Sequence, residues 1–206
     1  MKKDIKIVIP CYDRFDLLRQ TLQSLKDFDI IFDTYLYFDG IAPDEVKEIA
    51  EDYNVGFKET GLNKNLGADL MIYKSTMLFE EDHVLIIDSD AVIINDFTPF
   101  VINSIKHLEN DDKIAGISIS KTFDVLNRYR NLDVMPFNIG CGTIYDKEHL
   151  EEAFTEFKKN PQKEMDSTSG AIARRKRKTF INSYTKFTKH LGDHSGFHHY
   201  MDIVHV

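Results

Sequence analysis

The chain has 206 residues, 42% apolar and 12% aromatic, which suits a packed domain and excludes a disordered segment. No run of about 18 or more apolar residues occurs, so no transmembrane helix is expected. A net charge of −8 excludes a surface built throughout to grip nucleic acid.

Met1-Lys2-Lys3-Asp4 leads into a strand over residues 5–9 that Pro10 is expected to end. Its apolar run is too short for the core of a secretory signal, so a cytoplasmic location is expected. Asp13 is expected to cap a helix whose apolar positions Leu17, Leu18, Leu22, Leu25 and Phe28 keep helical spacing. A strand over 35–38 ends in Asp39-Gly40. Pro43 opens a second helix with Asp44 and Glu45 in its first turn. A short strand over 55–58 precedes a helix over 67–79. Residues 84–87 (Val-Leu-Ile-Ile) form a strand buried on both faces.

A helix near 99–108 and a strand over 114–119 follow. Residues 138–145 read as extended and 147–158 as helical. Strands alternating with helices predict an α/β fold, a sandwich around a mostly parallel sheet. One domain over 1–206 is expected, divided functionally near residue 95. Cys11 and Cys141 lie far apart, form no metal-ligand spacing and are expected as reduced thiols.

Charge is unevenly distributed. Residues 158–189 hold ten Lys/Arg, Arg174–Lys178 among them, against Glu164 and Asp166. The chain is therefore acidic with one basic district, which could favour an anionic partner such as a diphosphate, a lipid surface or a nucleic acid.

Four predicted strands end in polar groups: Pro10-Cys11-Tyr12-Asp13-Arg14, Asp39-Gly40, Asn63-Lys64-Asn65-Leu66-Gly67 and Asp88-Ser89-Asp90. Ligands of open α/β sheets bind outside the carboxyl ends of strands, where these groups fall. Two acids one residue apart at the end of a core strand suit a hard divalent cation and the phosphates it binds.

In order and spacing these segments resemble the GT-A fold glycosyltransferases, family 2 type. That family begins with an apolar strand and Pro-x-Tyr-Asn-Arg, then carries a second-strand acid, an Asn-x-Gly segment and a DXD motif. The resemblance covers residues 4–95 well and the remainder loosely. It implies a Rossmann-like α/β/α sandwich and transfer of a sugar from a nucleoside-diphosphate sugar to an acceptor hydroxyl.

The resemblance also implies roles. Pro10, Tyr12, Arg14, Asp39, Asn63, Asn65, Gly67, Asp69, Asp88 and Ser89 would bind the nucleotide sugar, a UDP-sugar foremost. Asp88, Asp90 and His194 would hold Mn²⁺ or Mg²⁺. Asp166, or failing it Glu164, would be the base of an inverting, hexosyltransferase-type enzyme. Gly140 and Gly142 would line the acceptor side. Residues 1–95 would form the nucleotide-sugar half; residues 96–206 would form the acceptor half, with the basic segment and a histidine-rich tail (His194, His198, His199, His205). The acceptor is open: glycan, lipid-linked sugar, protein or modified nucleic acid. Three other readings compete. A sugar-nucleotidyltransferase would need a glycine-rich phosphate loop after the first strand, which this sequence lacks. A haloacid dehalogenase-like phosphatase would use Asp88 and Asp90 but gives the upstream segments no role. A non-catalytic nucleotide-sugar-binding module would have no need of the acid pair.

Overall fold

The computed structural model describes residues 4–80, 82–119, 134–135, 142–159, 165–183 and 185–191. The first half runs β1 (Ile5–Cys11), α1 (Phe15–Asp27), β2 (Asp33–Phe38), α2 (Asp44–Asp52), β3 (Gly56–Glu59), α3 (Ala68–Thr76), β4 (His83–Ile86) and β5 (Ala91–Ile93). After α4 (Thr98–Asn110) come β6 (Ile114–Ser118), β7 (Val134–Met135) and β8 (Thr143–Tyr145). They are followed by α5 (Lys147–Lys159), α6 (Met165–Lys176), β9 (Thr179–Asn182) and β10 (Thr188–His190).

Eight strands make one sheet in the order β3-β2-β1-β4-β8-β6-β9-β7. β1, β2, β3 and β4 run parallel, and β6 and β9 share their direction. β8 is inserted antiparallel between β4 and β6, and β7 runs antiparallel on β9. The mostly parallel α/β sheet read from the sequence is present, and β8 joins the two halves of the chain within it. β5 and β10 form a separate antiparallel ribbon.

Both faces of the sheet are covered because its central strands turn apolar side chains to each of them. Ile7, Ile9, Leu85 and Ile87 pack with Leu18 and Leu22 of α1, Val46 of α2 and Val101 of α4. Val8, Val84 and Ile86 face the other way, onto Met71 of α3, Leu150 of α5 and Ile172 of α6. Ile7, Val8 and Ile9 are fully buried, each worth about 1.5–3 kcal/mol relative to exposure. Gly116 of β6 is required by closeness, since a Cβ there would lie 2.6 Å from the Ile144 carbonyl oxygen.

Two sequence expectations change. β1 does not stop at Pro10 but continues to Cys11, with Pro10 opposite Tyr37. The Val8 carbonyl accepts from Ile87 and the Cys11 carbonyl from Asp39, so by strand alternation Pro10 turns its missing N–H toward β4. Pairing with β4 has ended at Val8 by then, so no ladder bond is lost. Nor does Asp13 cap α1. Arg14 occupies the cap position in left-handed conformation, φ 57°, with no side-chain cap bond among the described residues.

Candidate active site

β4 delivers residues 88–90 to the carboxyl edge of the sheet, and three neighbours fix the turn they form. Thr21 of α1 donates its hydroxyl to the Ser89 carbonyl at 3.0 Å. The amide of Leu191, just past β10, donates to the Asp90 carbonyl at 2.8 Å, and that of Ala91 to the Asp88 carbonyl at 3.1 Å. The acids therefore project from a backbone that is already held.

The β5–β10 ribbon brings a histidine to the two acids. His190 pairs with Ala91, placing its ring beside the acids. Nδ1 lies 3.4 Å from Asp90 Oδ1, and Nε2 lies 3.9 Å from Asp88 Oδ2. One donor atom from each of Asp88, Asp90 and His190 lies within 4.8 Å of the others, the one such group among the described residues.

Arg14 Nη1 donates to the other oxygen of Asp90 at 2.8 Å. The bond to His190, then the charges of His190 and Arg14, hold the Asp90 carboxyl below its ordinary pKa against the opposing effect of burial. The bond to Asp90 chiefly raises His190, with the charges of both acids adding and burial opposing. Two carboxylate oxygens and an imidazole nitrogen suit Mn²⁺ or Mg²⁺. The Arg14 guanidinium on Asp90 shows that the cluster attracts positive charge.

A cavity of about 320 Å³ lies against this cluster, lined among others by Pro10, Cys11, Tyr12, Asp39, Asn65, Gly67 and Ser89. A second, of about 680 Å³, shares Tyr12, Asp13, Arg14 and Asn65 with it and extends to Phe38, Leu62 and Asn63. Tyr12 stands between them, 49% exposed, its ring stacked on Phe38 at 5.9 Å. Cys11 forms buried floor, and burial pushes its thiol up to about 12. A hollow of about 540 Å³ at the opposite edge, beneath α1 and β2, carries no metal-competent group among the described residues.

The loop before α3 is tied down from beneath. Asp39, 2% exposed, accepts the amide of Leu66 at 2.8 and 3.0 Å and that of Gly67 at 3.0 Å. Asn65 Oδ1 also accepts from Gly67 N at 2.6 Å, and φ of 84° at Gly67 demands glycine. The amides of Leu66 and Gly67 are thus engaged within the protein. Asp69 turns elsewhere, its Oδ1 accepting the amide of Met165 at 2.8 Å. Gly142, φ 73°, is buried at the start of β8, its N–H donating to Ile86 and its carbonyl accepting from Ile119.

His190 was not among the residues singled out by sequence. The crowded histidines after it carry the stronger signal, and three strand residues leave no readable period. His194, His198, His199, His205, Glu164, Gly140 and Cys141 lie outside the described residues, as does the side chain of Asp166; the backbone of Asp166 belongs to the first turn of α6.

The basic district is not one patch. α5 ends in Lys158 and Lys159, and α6 ends in Arg174, Arg175 and Lys176. The amide of Thr179 donates to the Lys113 carbonyl just before β6, which puts Arg174–Lys178 at the amino-terminal edge, opposite the acids. Arg175 and Lys176 pair there with Glu152, and Lys178 pairs with Asp146 at 3.4 Å.

Residues 6–180 match the family model "Glycosyl transferase family 2". No curated protein matches the chain in sequence. Among solved structures it is similar to mannosyltransferase PcManGT from Pyrobaculum calidifontis in complex with GDP-Man and Mn²⁺, 14% identical with TM-score 0.68. That likeness covers 97% of this chain but 60% of the other, so the chain spans less than two thirds of that protein. Glucosyl-3-phosphoglycerate synthase from Mycobacterium tuberculosis, in complex with Mg²⁺ and UDP, is 12% identical with TM-score 0.60 over 93% of this chain and 72% of its own. A 4-diphosphocytidyl-2C-methyl-D-erythritol synthase from Anaerococcus prevotii shares the fold at 14% identity and TM-score 0.59, covering 99% and 97%. At these identities the structures establish the fold alone.

Proposed function

Because the chain belongs to glycosyl transferase family 2, we propose that it moves a sugar from a nucleoside-diphosphate sugar to an acceptor hydroxyl, with inversion and with a divalent metal. The grouping of Asp88, Asp90 and His190 beside a cavity that runs on to Tyr12 and Asn63 carries this reading. GDP-Man and UDP, named for the similar structures, are donors or donor products of this class. A UDP-sugar is the first donor to test.

Asp88, Asp90 and His190 would hold the metal. Asp90, with 18% of its side chain exposed against 43% for Asp88, is the more enclosed acid. When bound, Mn²⁺ or Mg²⁺ offsets the diphosphate charge and makes it a better leaving group. Tyr12 offers its exposed face to the base. Asn63 and Asn65 lie along the path of the ribose and diphosphate, and Arg14 exchanges its contact with Asp90 for one with the diphosphate. Asp39 supports the site from below by fixing the loop at residues 66–67. Asp166, with Glu164 as the alternative, takes the proton of the acceptor hydroxyl.

The acceptor is the finer question. An anionic acceptor drew its support from the basic district, whose largest run, Arg174–Lys178, is on the far edge. That run does not border the site, so neutral glycan acceptors are the first to try.

Asp90→Asn tests the core of the reading. Losing one charge from the cluster should lower release of UDP from a nucleotide sugar at least about 100-fold, in keeping with several kcal/mol of charge stabilisation. Calorimetric titration of UDP with Mn²⁺ should weaken in parallel while thermal melting is retained. An Asp90→Asn protein that still turns over and still responds to Mn²⁺ overturns the proposal.

A further inference from the structure

Asp69 stands in the first turn of α3, directly after the loop that Asp39 and Asn65 shape. Its carboxylate reaches across the molecule to the amide of Met165, the first residue of α6, 96 positions away in sequence. The first amides of a helix have no partner within it, and a carboxylate that accepts one also gains from the helix dipole. Among the described residues, the one that meets this need for Met165 lies on α3.

The bond has firm footing at both ends. Met165 is fully buried in the cluster that holds Val8, Met71 and Val84, so its backbone has little room to shift. Asp69 belongs to a helix that begins at a glycine whose amide is itself engaged. One short path therefore links Asp39, the loop at 65–67, Asp69 and the first turn of α6.

We propose that Asp69 is a positioning residue for sugar transfer: by clamping the first turn of α6 to α3, it sets residue 166 against the donor cleft. It acts through α6 and does not bind the nucleotide. The proposal rests on the reading of Asp166 as the base. A reacting group displaced by about 1 Å can lose on the order of 100-fold in rate, so a clamp one residue from the base has leverage on turnover. The metal cluster and Tyr12 lie at the ends of β1, β4 and β10, so donor binding should not depend on it.

The test compares Asp69→Ala and Asp69→Asn in the full chain. Asparagine keeps the Oδ1 acceptor and gives up the charge; alanine removes both. For Asp69→Ala, the Kd of UDP with Mn²⁺ should stay within about twofold of the parent. Amide hydrogen exchange at Met165 should quicken roughly tenfold, the equivalent of a lost helix cap. The kcat for hydrolysis of the nucleotide sugar that turns over best in a donor screen should fall at least roughly tenfold, with KM unchanged. Asp69→Asn should restore slow exchange and most of kcat.

Roughly tenfold weaker UDP binding in Asp69→Ala, about 1.4 kcal/mol, would make Asp69 a nucleotide ligand and overturn the proposal. So would unchanged exchange at Met165, or an Asp69→Asn protein that keeps slow exchange yet loses kcat. Asp166→Asn, measured alongside, separates the two readings. If it keeps full hydrolysis while Asp69→Ala loses it, the base assignment fails and the clamp positions another group. If Asp166→Asn is inactive and Asp69→Ala is not, the clamp fails and the base stands.

Discussion

His190 reaches the Asp88–Asp90 turn from 100 residues away, through a strand of three residues. Its ring lies close to both acids, while Arg14 takes the remaining side of Asp90. A guanidinium and an imidazole thus converge on one carboxylate, an arrangement suited to giving one of those contacts up to a metal. His190→Ala should weaken Mn²⁺ binding in the presence of UDP by at least the roughly tenfold that losing even an outer partner of a metal site produces. Calorimetry reads this directly, and an unchanged Mn²⁺ affinity would remove His190 from the ligand set. The acids themselves were legible in sequence, because two carboxylates ending an apolar strand are costly to hold there unless a cation offsets them. The histidine was not, since nothing in Thr188-Lys189-His190 shows that it lies against Ala91.

Between residues and the whole, the loop before α3 shows how an element is held by one buried side chain. Asp39 accepts two backbone amides there while only 2% exposed. Asp39→Asn would turn an NH₂ group toward one of them and leave a buried donor unmet, destabilising by about 1–3 kcal/mol. Thermal unfolding should register the loss, and a variant as stable as the parent would show that the loop is held by other means. The sequence marked Asp39 as a strand-end acid, yet could not say whether it faced ligand or backbone. That depends on how closely the loop folds over β2. The long helices were readable because α1 keeps its apolar spacing for several turns. β5 and β10 were not, because three residues contain too little of any period.

At the scale of the molecule, packing has split what the sequence grouped. Lys158 and Lys159 end α5, and Arg174–Lys178 follow the opposite course down α6 to the far edge. Between these helices lies His149, 2% exposed, with Nε2 2.9 Å from Ser169 Oγ and Nδ1 without a hydrogen-bond partner among the described residues. Burial, then the nearby Lys178, lowers its pKa to about 4; Asp146 and Glu152 oppose this, and Lys176 adds to it. The unfolded chain therefore takes up a proton at higher pH than the folded one. The stability this group contributes is full above about pH 6.5 and is lost as pH falls toward about 4. The change amounts to at most about 3 kcal/mol. Urea unfolding at about pH 7 and about pH 4.5 should show it, since that interval spans most of the titration. His149→Gln, which does not titrate, should flatten the difference. An equal drop in the variant would assign the acid sensitivity to other groups.

The alternation of apolar runs and strand-end acids was enough to specify a mostly parallel sheet, its carboxyl-edge cleft and the pair Asp88–Asp90. Those features follow from local periodicity and from the cost of charge at a core strand. Tertiary structure alone decided the placing of His190 beside the acids, the inward turn of Asp39, the bond from Asp69 to α6 and the division of the basic residues. Each depends on two segments meeting that are distant in the chain, and side-chain pattern along one segment carries no record of its partner.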